Sequence, residues 1–131
     1  MMGQHVPYQQ VFEHPEDFRV KYQFYPLEEG GRYSLPHQGL RSNFWYEHTD
    51  HKMKGVFMIW PEFEDAQGHL IEEGPVLAEG IARMWIIAAN TRSYHRARIQ
   101  VGTIGYFMEG HRRTGVCEVI ELVGLSNNPT E

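Results

Sequence analysis

A glycine-bent, charged corner stands directly before an aromatic segment in the first half of the chain. Residues 28–50 begin with two glutamates, two glycines and Arg32, and they continue into Phe44, Trp45 and Tyr46. Glycine reaches backbone torsions that other residues adopt only at a cost, so such a corner lets backbone N–H groups and an arginine approach a phosphate closely. The segment is therefore either a hairpin loop that leads into a core strand or a binding corner on a rigid sheet.

The aromatic run also has two interpretations. Alternation along a strand sends Phe44 and Tyr46 to one face and Trp45 to the other, so at least one of these faces is core. Outward rings could instead stack on nucleobases. We interpret the run as core, and we interpret Trp60 and Trp85 as core or interface residues.

The residue types that most often carry catalysis or bind metals form no recognised pattern in this sequence. Eight histidines are present, and His48 and His51 flank a Thr-Asp pair, but no C-x-x-C or H-E-x-x-H spacing occurs. Cys117 is the single cysteine, which excludes an intrachain disulfide and is typical of a small buried hydrophobe. We therefore predict no metal site, no catalytic residue and no cofactor.

The charge of the chain is segregated along its length. The formal charge of −5 disfavours non-specific binding to nucleic acid, which depends on Lys and Arg meeting phosphates. Acidic residues concentrate in residues 62–65 and 72–73, whereas residues 90–98 gather three arginines and a histidine. We predict an inserted acidic loop at residues 62–75 and a local basic segment at residues 90–98.

Nothing in the sequence predicts contact with a membrane. The 131 residues contain no apolar run near the roughly 20 residues that span a bilayer, and the N-terminus lacks the basic start and apolar stretch of a signal peptide. The 41% apolar and 22% charged fractions are ordinary for one globular domain. We therefore expect a cytoplasmic protein.

Short strands separated by glycine turns would position these residues. Apolar and polar residues alternate from residue 18 to residue 24, which is the period of a half-buried strand. Residues 82–89 fit either a short helix or a buried strand, and the run from Trp85 to Ile87 favours the strand. Pro61 is expected to end the strand before it. The predicted strands are residues 18–24, 43–48, 56–60, 82–89, 99–108 and 116–124.

This pattern of strands predicts the fold class and the division of the chain. Strands with glycine turns and no long helix are typical of a small antiparallel barrel or sandwich, and we predict an all-β, six-stranded antiparallel β-barrel that is closed or nearly closed. The barrel would span residues 18–125. A flexible N-terminal arm is expected at residues 1–17 and a C-terminal tail at residues 126–131.

Two corner motifs occur in order along the chain. The first reads E-G-G-R, then G-x-R-x-x-F, then T-D, and the second reads E-G-x-R-x-x-G, with its glutamate seven residues after Gly102. These residues are Glu29, Gly30, Gly31, Arg32, Gly39, Arg41, Asn43, Phe44, Thr49 and Asp50, and then Glu109, Gly110, Arg112 and Gly115. In order and spacing, residues 19–125 resemble the C-terminal (third) β-barrel domain of elongation factor Tu, the GTPase that carries aminoacyl-tRNA to the ribosome. Its motifs read E-G-G-R, G-Y-R-P-Q-F, T-T-D and R-E-G-G-R-T-V-G.

The resemblance implies a binding role and a set of site residues. In the carrier this domain packs on the GTPase domain, and its two glycine corners touch the backbone of the tRNA T-stem. Such contacts read the shape of an A-form stem and not its sequence. At the matching positions, the implied nucleic-acid-binding residues are Arg32, Tyr33, Asn43, Glu109 and Gly110.

The sequence departs from the elongation factor in several places. We expect no counterpart of the GTPase domain, because no G-x-x-x-x-G-K-[ST] phosphate loop occurs in these residues. Ser42 and Asn43 replace the P-Q of the first motif, and His111 replaces a glycine of the second. The segments at residues 62–75 and 90–98 have no counterpart. The departures imply a barrel domain that acts without a GTPase domain. It would have no GTPase activity, no nucleotide cofactor and no enzymatic activity.

Two classes of function remain open at this point. The first is a translation-linked binding module that contacts tRNA, the ribosome or another elongation-factor domain. The second is a protein-interaction module that kept the barrel and lost RNA binding, for example as a mimic of elongation factor Tu. The corners favour the first class, whereas the acidity of the chain and its two insertions favour the second. Fold-level likeness alone does not decide between them.

We expect Arg32→Ala to weaken tRNA binding by about 1 kcal/mol or more and to reduce the salt slope of binding by about one, because one phosphate contact is lost. The free energy of unfolding should change by no more than about 0.5 kcal/mol, as for other exposed substitutions. A salt-dependent tRNA titration and a urea denaturation check both values. If the variant binds tRNA as before and unfolds at a lower urea concentration, Arg32 stabilises the hairpin and does not contact tRNA.

Overall fold

The computed structural model describes residues 5–26, 34–48 and 55–131. Within these residues the chain forms six strands, two five-residue helices and a 3₁₀ turn, Ala89–Thr91, that leads into the second helix. Neither described helix is long enough to cross a bilayer. The strands are β1 Phe18–Phe24, β2 Asn43–Tyr46, β3 Ile59–Phe63, β4 Glu79–Ile86, β5 Ile104–Glu109 and β6 Arg112–Leu122, and the helices are α1 Tyr8–Phe12 and α2 Arg92–Arg96.

All neighbouring strands pair antiparallel in one sheet with the order β2-β5-β6-β1-β4-β3. The sheet curls until its two edges meet. Phe44 in β2 and Phe57, just before β3, exchange two backbone hydrogen bonds of 2.8 and 3.0 Å. The prediction of an all-β, six-stranded antiparallel, barrel-like fold is confirmed.

The core consists of the inward side chains of every strand. In β1 the buried residues alternate as the sequence predicts, from Phe18 through to Phe24, and the bounds of this strand are confirmed. Cys117 is also buried in the core, where burial raises the pKa of its thiol well above its usual range. The aromatic residues of the core are Phe18, Tyr22, Phe24, Phe44, Tyr46, Phe57, Phe63 and Phe107. Close-packed rings of this size supply much of the apolar burial of a small domain.

A glycine in β5 makes room for one of these rings. Gly105 is registered opposite Tyr46, and a Cβ atom added to it would lie only 2.1 Å from Cζ of Phe44. Because no real Cβ contact is that short, Phe44 can reach the core only over a residue without a side chain. This packing constraint fixes the aromatic segment of β2 against β5.

Pro61 lies inside β3 and does not end a strand, so that prediction is wrong. The N–H of Ile87 binds the carbonyl of Met58, and the N–H of Glu64 binds the carbonyl of Ile81, which identifies the even-numbered positions of β3 as those bonded to β4. The odd-numbered positions therefore turn their N–H groups toward the outer edge of the sheet. Proline has no N–H to lose there, which is why an edge strand accommodates it.

Other strand predictions differ from the structure at their ends. Residues 82–86 belong to a strand, as favoured, but β4 runs from Glu79 to Ile86, and Ala89 begins the 3₁₀ turn. β2 ends two residues earlier than predicted, β5 starts five residues later, and β6 begins at Arg112 directly after a two-residue turn. Ends depend on turns and on partner strands, which sequence periodicity does not report.

The N-terminal segment, expected to be a flexible arm, makes specific contacts from His5 onward. The rings of Tyr8 and Phe12 each lie 5.8 Å from the ring of Trp85. Glu62 accepts hydrogen bonds from the Trp85 indole N–H at 2.9 Å and from the Tyr8 backbone N–H at 2.8 Å, and its other contact is His5 Nε2 at 2.5 Å. The arm therefore covers the outer face of β3 and β4, and Trp85 is buried beneath it.

The predicted acidic loop is wrong at its start. Glu62 and Glu64 are buried, with 1% and 2% of their surfaces exposed. Glu64 forms ion pairs with Arg19 at 2.5 Å and with Arg83 at 2.8 Å. Long-range partners on β1 and β4 compensate these carboxylates, so this part of the acidic segment is structural.

The predicted basic segment is also largely structural. Arg92 and His95 of α2 are both buried. Arg92 Nε donates to Asp17 Oδ1 at 2.7 Å, and its guanidinium also donates to the carbonyls of Ile86 and Pro129. The Asp17 carboxylate accepts further hydrogen bonds from the Ile86 N–H and from the Asn128 amide. Residues 90–98 thus anchor a helix and do not form an exposed basic patch.

We expect Arg92→Leu to lower the free energy of unfolding by about 3–5 kcal/mol, because it leaves the buried Asp17 carboxylate without its charged partner. Urea denaturation followed by circular dichroism measures the change. Lys21→Ala, at an exposed position of β1, is the control and should stay within about 0.5 kcal/mol. Equal stability of the Arg92→Leu variant and the unchanged protein would contradict a structural role for the ion pair.

Candidate nucleic-acid interface

The described residues implied by the resemblance come together at one corner of the sheet. Asn43 is the first residue of β2 and is registered opposite Met108 of β5. Glu109 is the next residue of β5, and Gly110 begins the turn into β6. Two segments that are more than sixty residues apart in the chain therefore meet at this corner. Arg32 and Tyr33, also implied by the resemblance, lie outside the described residues.

The turn between β5 and β6 has open space in front of its backbone. Glu109 is registered opposite Arg112, so Gly110 and His111 form a two-residue hairpin loop. Gly110 has φ +64°, the left-handed torsion expected at the first loop position of a type II′ turn. A Cβ added to Gly110 would meet no atom within 4 Å. Backbone groups at such an open turn can approach a phosphate without a side chain in between.

An outward aromatic pair adjoins this corner. Trp45 of β2 and Tyr106 of β5 are registered opposite each other, with ring centroids 6.2 Å apart and ring planes at 27°. The Arg113 guanidinium lies 3.9 Å from the Tyr106 ring centroid and 5.5 Å from that of Trp45. The face therefore combines ring surface with a positive charge, as cation–π geometry allows.

Sequence reasoning located half of this pair. The alternation of β2 sends Phe44 and Tyr46 into the core and Trp45 outward, and the structure confirms that division. The partners of Trp45 were missed, because the pairing of β2 with β5 and of β5 with β6 decides which side chains meet it. The bulge at Phe107 and Met108 also shifts the β5–β6 register, which brings Arg113 opposite Met108.

A shallow cup of about 260 Å³ opens beside the aromatic pair. Among the residues that the structure describes, the lining combines one aromatic ring, apolar groups and two basic side chains, and none of these residues carries a carboxylate. The lining residues are Trp45, Gly55, Val56, Met108, His111 and Arg113. Met108 is almost fully buried, whereas His111 and Arg113 are exposed. The cup therefore has an apolar base and a basic rim.

The local charge of this corner differs from the acidity of the chain. Arg112 and Arg113 are both exposed, and Glu109 lies 3.9 Å from the Arg112 guanidinium. Two of the acidic residues that make the chain negative, Glu62 and Glu64, are buried elsewhere. A local basic patch can attract phosphates even when the net charge is negative, since charges beyond about 8–10 Å are largely screened at physiological salt.

A second cluster of titratable groups lies at one end of the barrel, under α2. The Tyr46 hydroxyl is 2.6 Å from Nδ1 of the buried His95, and the Tyr94 hydroxyl is 2.6 Å from Nδ1 of His48. Burial, together with the nearby His48 and Arg98, lowers the pKa of His95 to about 4. The neutral imidazole therefore ties α2 to β2. Among the described residues, no group of three His, Cys, Asp or Glu side chains could hold a metal ion.

We expect the stability of the protein to fall as the pH drops from about 6.5 to about 4, because unfolded His95 binds a proton that the folded state excludes. The free energy of unfolding should decrease by about 3 kcal/mol across this window. Urea denaturation at about pH 7 and about pH 4 measures the loss. His95→Asn cannot titrate and keeps a polar partner for Tyr46, so it should remove this part of the pH dependence, whereas the exposed His37→Asn should leave it intact. The same loss in His95→Asn as in the unchanged protein would assign the acid sensitivity to other groups.

Comparison with known proteins identifies no family for this chain. No protein-family model matches the sequence, and no curated protein matches it. The likeness to elongation factor Tu therefore rests on the two corner motifs of the sequence.

Proposed function

We propose that this chain contains an RNA-binding module, similar to the third domain of elongation factor Tu, that works in or beside translation without GTPase activity. The observation that carries the proposal is the meeting of Asn43, Glu109 and Gly110 at one corner of the sheet, next to Arg112 and Arg113. These are the described positions at which the elongation-factor domain would contact a tRNA stem. Their convergence supports binding and not merely a shared turn.

The corner would bind the backbone of an RNA stem. The exposed arginines supply positive charge to phosphates, and the open turn at Gly110 lets backbone N–H groups approach them. Contacts of this kind carry no sequence information, so the module would recognise the A-form shape of the stem. Asn43 adds a side-chain amide that can donate to or accept from the sugar–phosphate backbone.

Binding of this kind would be moderate in strength and strongly dependent on salt. If Arg32, Arg112 and Arg113 each neutralise one phosphate, the logarithm of affinity falls with the logarithm of salt concentration with a slope of about −2.7. That slope corresponds to a roughly 40-fold loss of affinity between about 50 and 200 mM salt. The negative charge elsewhere on the chain would suppress additional non-specific contacts.

The proposal includes no catalysis. The sequence has no G-x-x-x-x-G-K-[ST] phosphate loop, so the proposed module binds no nucleotide cofactor and hydrolyses no GTP. It would act in the cytoplasm, on tRNA or on a translation-factor domain, and not at a membrane. GTP turnover that persists through independent purifications of the protein would overturn this part.

We expect the purified chain to bind tRNA saturably at about 50 mM salt, with the salt slope given above. Arg112→Ala and Arg113→Ala should each weaken binding and reduce the slope by about one, because each removes one phosphate contact. Fluorescence anisotropy of labelled tRNA at several salt concentrations measures both quantities. Lys21→Ala is the matched control, since it removes an exposed positive charge from β1 and should change neither. Absence of saturable binding at the lowest salt would overturn the proposal.

The second candidate is a protein-interaction module. Exposed apolar residues on the outer face of β5 and β6 favour it. Ile104 is 45% exposed and Ile120 is 39% exposed. A neighbouring hollow of about 520 Å³ is lined by Ile104, Val116, Lys21 and Glu118, among others. Mixed apolar and charged surface of this kind suits a protein partner better than an RNA backbone. Binding to the GTPase domain of elongation factor Tu, without tRNA binding and with little salt dependence, would support this candidate instead.

A further inference from the structure

The cup beside Trp45 offers a specific kind of binding space. Its volume, about 260 Å³, is slightly below the roughly 300 Å³ at which pockets for drug-sized ligands begin. A space of that size accepts one flat ring system and not an extended ligand. Trp45 is only half-buried, so part of its ring surface remains available to a stacked partner.

The chemistry of the lining selects among flat ligands. His111 and Arg113 provide polar hydrogen atoms at the rim, and Met108 provides an apolar base. The described part of this lining offers a cationic ligand no carboxylate, and such a ligand would meet the Arg113 guanidinium. A neutral ring that carries an anionic group fits both halves of the cup. A nucleobase with its attached phosphate has that combination.

We propose that the cup binds one unpaired nucleobase of the RNA, stacked on Trp45, while the neighbouring phosphate contacts Arg112 or Arg113. This inference rests on the proposed RNA-binding function and narrows the class of RNA. Bases inside a stem are paired and stacked on one another, so they cannot enter the cup. Bases at an end, loop or bulge can be splayed out and stacked on aromatic side chains. The substrate is therefore an RNA stem with unpaired nucleotides beside it.

The position of the cup allows one RNA to place its stem at the β5–β6 corner and an unpaired base in the cup. Arg113 is registered opposite Met108 at the base of the cup, and Gly110 with His111 forms the turn at its rim. The same residues thus border both the stem-binding corner and the cup. Because His111 of the turn and Trp45 line the same cup, a nucleotide that leaves a stem bound at the turn would lie close to Trp45.

Three RNA probes test the inference on the unchanged protein. They are a blunt stem, the same stem with a short run of unpaired uridines, and the same extended stem with abasic sugars in place of the uridines. We expect the uridine probe to bind about fivefold or more tightly than the blunt stem, which is the low end of what one stacked base contributes. The abasic probe, which has the same added phosphates, should gain much less.

Two variants of Trp45 test whether the higher affinity for the uridine probe comes from the cup. Trp45→Ala should abolish the difference between the uridine and abasic probes and leave binding of the blunt stem nearly unchanged. Trp45→Phe should keep most of the difference, because a phenyl ring still stacks. Trp60→Phe on β3 is the matched control and should behave as the unchanged protein. Thermal unfolding followed by circular dichroism shows that each variant is folded.

Each outcome decides the inference. Equal affinity for the uridine and abasic probes, with binding of the blunt stem intact, would overturn the nucleobase site and leave the RNA-binding function standing. A uridine gain that survives in Trp45→Ala would also overturn it, since the base would then be bound elsewhere. Failure of all three probes to bind would overturn the RNA-binding function and this inference together.

Discussion

The buried ion pair between Asp17 and Arg92 is the constraint on which the rest of the structure depends. Asp17 immediately precedes β1, and its carboxylate binds Arg92 of α2 and the N–H of Ile86 at the end of β4. Its backbone carbonyl accepts the N–H groups of Val123 and Leu125 just after β6. One residue thus contacts α2, the end of β4 and the segment after β6, and Arg92 supplies the charge that compensates its carboxylate. The ion pair can therefore form only when α2 is packed against the start of β1.

The outer surface of the sheet is divided between structure and function. The N-terminal arm covers β3 and β4 and is held by Glu62 and Trp85. The outer face of β2, β5 and β6 keeps Trp45, Tyr106 and Arg113 accessible. Several charged residues of the acidic and basic segments noted in the sequence are buried and make internal contacts. The charge that remains near the β5–β6 turn is mainly that of arginine.

Local sequence patterns predicted the elements that local physics determines. Alternation identified β1 and the outward position of Trp45, because a strand exposes every second residue to the same side. Predictions from the composition of a segment were wrong where a charged residue has its contact partners far away in the sequence. Glu62 and Arg92 looked like members of solvent-exposed charged segments, but each has its partners on other strands or at a chain end. Pro61 was misread for a similar reason, since its tolerance depends on β3 lying at an edge. The cup beside Trp45 required the register of three strands and was not predictable.

The position of Pro61 bears on how the protein behaves at high concentration. The unpaired edge of a sheet is a template for strands of other molecules, and free N–H groups are half of that template. In β3 the backbone N–H positions that face away from β4, toward the edge of the sheet, are those of Ile59, Pro61 and Phe63. The N–H of Ile59 binds the carbonyl of Phe57, Pro61 has no N–H, and the N–H of Phe63 binds the Gln38 side chain. This side of β3 therefore has no backbone N–H with which to recruit a strand of another molecule, which removes one route to edge-to-edge self-association.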